Sequence, residues 1–165
     1  ALPTWNAVKK DFRDIYSSPM SQGPRCHQLA TYIVFDSPLV MLCDAPTAYR
    51  KEPECTRFIA GLPVVADETR ILQGKMGEYI VTARRVGEDW IVGGLTDWEA
   101  RTVDLDLSFL PEGMFRAEIF CDGINADKKG EDYRHEYRDV KREDRLKMQL
   151  APGGGFAIRL KKNHN

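Results

Sequence analysis

The sequence predicts a mixed fold: a helix and strand remnant of a parallel (β/α)8 barrel over residues 1–62, an all-β antiparallel sandwich over residues 63–161, and a tail at 162–165. Three observations predict it. Up to residue 62 apolar side chains repeat at intervals of three and four. The stretch SPLVMLCDAP, residues 37–46, carries a continuous apolar run from Leu39 to Cys43 between two prolines, the pattern of a strand buried on both faces. From Pro63 onward the period drops to two.

Taken in order, Thr4 can cap a helix whose apolar face is Trp5, Val8, Phe12 and Ile15, and SSPMSQGP ends it. From Pro24, residues Cys26, Leu29, Ala30, Ile33 and Val34 form a second helical face, stopped at Ser37-Pro38 because the residue before proline is pushed out of the helical region. The run Leu39–Cys43 follows and delivers Asp44 to its end. Pro53 suits a first helical turn, Cys55, Phe58, Ile59 and Leu62 give that helix a face, and Gly61 with Pro63 closes it. A helix, a continuous apolar strand and a helix are a piece of an alternating parallel architecture that cannot close a sheet alone, which points to the end of a barrel.

Beyond Pro63, Tyr79, Val81, Ala83 and Arg85 alternate with Ile80, Thr82, Arg84 and Val86, and Gly87-Glu88-Asp89 turns the chain into Trp90-Ile91-Val92. In VDLDLSF, Val103, Leu105, Leu107 and Phe109 share one face and Asp104, Asp106 and Ser108 the other. Further strands are expected at Phe115–Cys121, Tyr133–Val140, Leu146–Leu150 and Phe156–Leu160. Short strands separated by Gly, Pro and Asp turns argue a sandwich.

The composition, 42% hydrophobic and 30% charged with a formal net charge of -1, is that of a globular domain. Basic and acidic residues interleave, as in EDYRHEYRDVKREDR, so no field builds up that would recruit nucleic acid. No apolar run approaches the roughly 20 residues of a membrane helix. Of the cysteines, three lie on apolar faces and none has zinc-site spacing.

Asp44 is the candidate site residue, at the strand end where barrel enzymes place functional groups. Glycoside hydrolysis needs two positioned carboxylates. Glu52 and Glu54 favour a helix dipole instead, while Asp67-Glu68-Thr69 and Glu78 sit at the junction between the two parts. A self-contained enzyme would have to pair Asp44 with Glu68. His27, His135 and His164 share no metal-ligand spacing, and GGG at 153–155 lacks the helix and lysine of a phosphate cradle. Trp90, Trp98, Tyr79, Tyr133 and Tyr137 could stack on sugar rings if they shared an exposed face, although alternation turns Trp90 toward a core.

RCHQLATYIVFDSPLVMLCDAPTAY, CTRFIAGLPVVADET, GEYIVTARRVGEDWIVGGLTDWEARTVDLDLSFL and LAPGGGFAIRL, in that order, resemble the C-terminal region of glycoside hydrolase family 97, a family of α-glucosidases and α-galactosidases. One departure is Ala66, where the family often has tryptophan. The resemblance implies a parent with an N-terminal β-sandwich, a central (β/α)8 barrel and a C-terminal all-β domain associated with oligomerisation. Leu39–Cys43 then corresponds to the last barrel strand and residues 53–62 to the last barrel helix. It further implies that the catalytic glutamates and the ligands of an active-site calcium lie upstream, so no catalytic residue and no cofactor is assigned here and the isolated chain is expected to be inactive. Its partners would be the rest of the glycosidase, a second copy of the chain and, for the parent, an oligosaccharide, with an exported, periplasmic location. The alternative is a non-catalytic carbohydrate-binding module.

Overall fold

The computed structural model describes residues 23–37, 39–42 and 45–163. The expected helix from Thr4 to Ile15, together with Cys43, Asp44 and His164, lies outside them. The elements in chain order are α1 (Arg25–Val34), α2 (Pro46–Arg50), α3 (Pro53–Ala60), β1 (Glu68–Lys75), β2 (Tyr79–Val86), β3 (Asp89–Thr96), β4 (Arg101–Asp106), β5 (Phe115–Asp122), β6 (Tyr133–Val140), β7 (Arg145–Leu150) and β8 (Gly155–Lys162).

The strict alternation of β4 and β7 sets the sandwich. They pair antiparallel with Val103 opposite Met148 and Leu105 opposite Leu146, and these four side chains are buried while Asp104, Lys147 and Gln149 face solvent. This two-stranded sheet covers one face of a six-stranded antiparallel sheet of order β1-β2-β3-β8-β5-β6. Val81, Val92, Trp90, Phe115, Ile119, Phe156 and Ile158 meet the β4–β7 residues in the inner core. Gly87 takes the β2–β3 turn with φ +60°, a conformation that favours glycine. The expected sandwich is therefore present, in an unequal six-plus-two form.

The large sheet is covered on its other face too. Helix α1 lies across β2, β3 and β8, and with α3 it forms a second apolar cluster of Cys26, Leu29, Ile33, Cys55, Phe58, Ile91, Phe120 and Ala157. Alternation in β2 and β3 consequently separates two buried faces rather than core from solvent. Close approach requires small residues beneath the helix: a Cβ on Gly93 would lie 2.8 Å from the Ile33 Cβ.

Two expectations are corrected. Residues 39–42 form no strand, and Leu39 and Met41 stand 73% and 72% exposed. A parallel strand needs hydrogen-bonding neighbours of its own orientation, and every strand pair among the described residues is antiparallel. The VDLDLSF strand ends at Asp106, because Leu107 to Leu110 close a turn through the Leu110 N–H bond to the Leu107 carbonyl. Strand β1 and the short helix α2 were not expected at all.

Candidate functional site: the helix-covered face of the sheet

Where α1 and α3 meet the sheet, polar side chains reach across the seam. Arg84 of β2, 4% exposed, pairs with Asp36 just past α1 at 2.9 Å, and Arg25 of α1 pairs with Glu52 before α3 at 3.0 Å. Arg159 of β8 donates to the Phe58 carbonyl of α3 at 2.6 Å. The Tyr133 hydroxyl donates to Glu54 at 3.1 Å. His135 lies between two carboxylates, 3.4 Å from Glu54 of α3 and 3.2 Å from Glu118 of β5, and its ring stacks on Phe120 at 4.0 Å with an interplanar angle of 14°. Tyr137 also donates to Glu118, at 3.0 Å. Arg159, Tyr133 and His135 thus tie α3 to the sheet, while Glu118 and Tyr137 hold His135 and Arg159 in place.

A second polar node lies at the N-terminal end of α1. The Asp122 carboxylate, 5% exposed at the end of β5, accepts the backbone N–H groups of Ala151 and Gly155, both at 2.9 Å. Burial pushes its pKa up to about 7, against the lowering effect of those amides and of the Cys26 thiol. Burial likewise raises the Cys26 thiol, and raises Cys55 to about 11. These thiols are small buried groups and not nucleophiles.

The carboxylates expected at the junction are structural. Asp67 accepts the Gly87 N–H at 2.7 Å, and Glu68 is held by Arg70 at 2.5 Å and Arg85 at 3.2 Å, bonds that lower its pKa. Glu78 pairs with Lys75 and with Arg101. Glu68 is therefore occupied by two guanidinium groups, and Asp44, its suggested partner, lies outside the described residues. Gly153 takes a turn with φ +67° against the Trp98 ring, so the glycine run is a turn. The five aromatics do not share a face: Trp90 is in the inner core against Phe109, Tyr79 sits under Arg101, and Tyr133 and Tyr137 flank His135 on the outer side. Among the described residues no three His, Cys, Asp or Glu side chains are grouped to hold a metal ion.

Beside α1 an apolar groove of about 240 Å³ is lined by Tyr32, Phe35, Val40, Leu42, Leu62 and Val64. It continues the exposed run at 39–42, and Val65 beside it is 76% exposed. Exposed apolar surface that is contiguous in this way is characteristic of interaction surfaces.

A closed sandwich core, a helical layer pinned to one sheet and an apolar groove at the edge of that layer define the class: a β-sandwich domain with a helical layer on the outer face of its larger sheet. The model of the glycosyl-hydrolase 97 C-terminal, oligomerisation domain matches residues 65–161, and the chain belongs to that family. It is 55% identical over 156 residues to a retaining α-galactosidase of Bacteroides thetaiotaomicron, covering 94% of this chain and 24% of that protein. A probable retaining α-galactosidase of Streptomyces bingchenggensis is 30% identical over 130 residues, 79% of this chain and 19% of its own length. Among solved structures, a glycoside hydrolase family 97 enzyme in complex with acarbose from Pseudoalteromonas sp. strain K8 superposes with a TM-score of 0.83 at 38% identity, over 86% of this chain and 23% of that one. A β-arabinopyranosidase superposes with a TM-score of 0.67 at 26% identity, over 84% of this chain and 21% of its own. The chain spans about a quarter or less of the length of these relatives.

Proposed function

We propose that the chain is the C-terminal portion of a retaining α-galactosidase, in which the sandwich and its helical layer support a catalytic barrel and supply subunit contacts. The observation that carries this reading is the match to the Bacteroides protein, 55% identical across 94% of this chain yet across 24% of that enzyme. Residues 1–62 then provide the last helices and last strand of the barrel. Leu39 to Leu42, exposed in this chain, gain parallel neighbours there, and the adjoining groove receives the barrel's wall. Asp44 falls at the rim of that barrel. The carboxylates that protonate the leaving oxygen and attack the sugar, and an active-site calcium, belong to the barrel upstream, in an exported enzyme acting on an oligosaccharide.

The test is to express the complete open reading frame that carries this sequence and assay 4-nitrophenyl α-galactoside and α-glucoside, following the anomeric form of the first product by NMR. Turnover of the galactoside with retention supports the reading, and turnover of the glucoside alone replaces α-galactosidase by α-glucosidase. Repurified 165-residue chain that turns over substrate, and loses that turnover in Asp44→Asn, overturns the supporting role.

A further inference from the structure

Asp122 ends β5 where three parts of the chain meet: the first turn of α1, the β5 end and the turn between β7 and β8. Its Oδ2 accepts the Ala151 and Gly155 N–H groups, and the Cys26 thiol of α1 donates to the same carboxylate. Its Oδ1 has no hydrogen-bond partner among the described residues. The space is closed, since a Cβ on Gly154 would lie 1.9 Å from Oδ2 and 2.6 Å from the Ala151 carbonyl. From the helix side His27 packs over the turn with its buried Nδ1 unpartnered among the described residues, and a Cβ on Gly23 would meet the Gly153 carbonyl oxygen at 2.5 Å. The turn is therefore held through its flanking amides by Asp122 and packed tightly against the start of α1, where a Cβ on Gly155 would lie 3.2 Å from the Cys26 carbonyl oxygen. Helix α1 itself has Pro24 at its N-cap, with no side-chain capping bond and no acidic residue in its first turn.

We propose that Asp122 is a protonation-controlled latch: the neutral acid holds α1 and the β7–β8 turn on the sandwich, and the anion loosens that hold. A buried carboxylate with one oxygen unpartnered lacks the bonds that would offset its desolvation. A proton on Oδ1 removes that charge and leaves Oδ2 free to keep its two amides. The surrounding groups do not neutralise it. On α1, Arg25 is engaged by Glu52, and Cys26 is a thiol that burial keeps protonated, as are Cys55 of α3 and Cys121 of β5. Arg134 of β6 donates to the Cys121 sulfur at 3.1 Å. Tyr133, opposite Asp122 in the β5–β6 pair, is a phenol whose pKa burial raises, and Asp132 beside Gly123 is itself acidic.

With a folded value of about 7 against an unfolded value near ~3.9, the docked state binds a proton that the undocked state does not. The latch's contribution is full below the unfolded value and is lost as pH rises through about 7. His27 acts in the opposite sense, because burial lowers its pKa and its neutral ring becomes costly to keep as pH falls. Proteins that all retain His27 must therefore be compared.

Hydrogen exchange of the full chain, with exchange times scaled to the intrinsic rate at each pH, reads the latch in peptides covering α1 and residues 150–156. The ratio of protection in the wild type to that in Asp122→Asn is expected to fall about tenfold between pH 6 and 8, while peptides of the β4–β7 sheet keep a constant ratio. An α1 ratio that does not change with pH overturns the proposal. If Asp122→Asn does not fold, infrared spectroscopy of the wild type decides. The C=O stretch of a protonated carboxyl that disappears between pH 6 and 8 together with α1 protection supports the latch. Absence of that band, or α1 protection unchanged across the range, overturns it.

Discussion

Arg159 on β8 and Phe58 on α3 are joined twice: the guanidinium donates to the Phe58 carbonyl at 2.6 Å and lies over the Phe58 ring at 4.9 Å from its centroid. A Cβ on Gly61 would touch the same guanidinium at 2.8 Å, so the helix end is shaped around it. Arg159→Ala removes a charge-assisted bond to a helix-terminal carbonyl and the packing of the arginine stem, and should cost about 1.5–3 kcal/mol. Urea unfolding measures the loss. Hydrogen exchange should place it in α3 while β4 and β7 keep their protection.

The sandwich face is tested by a reciprocal pair. Leu105 is fully buried between the sheets and Asp104, its neighbour, is exposed. Leu105→Asp buries a carboxylate without a partner and should cost several kcal/mol, on the order of 3–5, whereas Asp104→Leu should stay within about 0.5 kcal/mol. Comparable urea midpoints for the two variants would reverse the assignment of inner and outer faces.

Alternation made the sandwich readable. Strands β2 and β6 have the bounds that the sequence predicts, and the buried side of β4 is the one that Val103, Leu105 and Leu107 define. Strand β1 escaped because its register slips between Ile71 and Gln73, which breaks the period, and because ETRILQGK is mostly charged or polar. The helical cover over the sheet had a signal that alternation in β2 obscured: Trp90 to Leu95 is apolar or glycine throughout, as a strand buried on both faces must be. Leu39–Leu42 shows the opposite limit, since a pattern records the surroundings for which it suits and cannot supply them. Asp122 carries no such signal, because an aspartate before glycine at a strand end reads as an ordinary turn residue. Its burial arises from α1 and the 151–154 turn, which are distant in sequence.

Gly93 is where the helical layer can be lifted by one atom. A methyl group there would stand 2.8 Å from the Ile33 Cβ and 3.1 Å from the Ala30 carbonyl, neither of which can move without moving α1. Gly93→Ala should therefore destabilise by about 1–3 kcal/mol, the usual range for overpacking. Binding of a hydrophobic dye should rise as Ile91, Phe120 and Ala157 lose their cover. Removing residues 1–62 should go further in the same direction: the inner core stays complete and the transition remains cooperative, but the midpoint falls and dye binding increases. A truncated chain as stable as the full one would mean that the helical layer contributes nothing to the sandwich.

The 165-residue chain should self-associate when separated from a larger enzyme. Phe35, Leu39, Met41, Leu42, Val64 and Val65 are exposed and lie at or beside one groove. A chain that buries none of this surface leaves it for a second copy, because transfer of apolar area from water contributes about 25 cal/mol per Å². Light scattering coupled to size-exclusion chromatography should give a mass above 18.8 kDa that rises with concentration. Leu39→Lys with Met41→Lys places charge on side chains that are 73% and 72% exposed, so it should shift the protein toward monomer without lowering its unfolding midpoint. A double variant that associates as strongly as the wild type would move the contact to the sandwich within 65–161, the part matched by the oligomerisation domain.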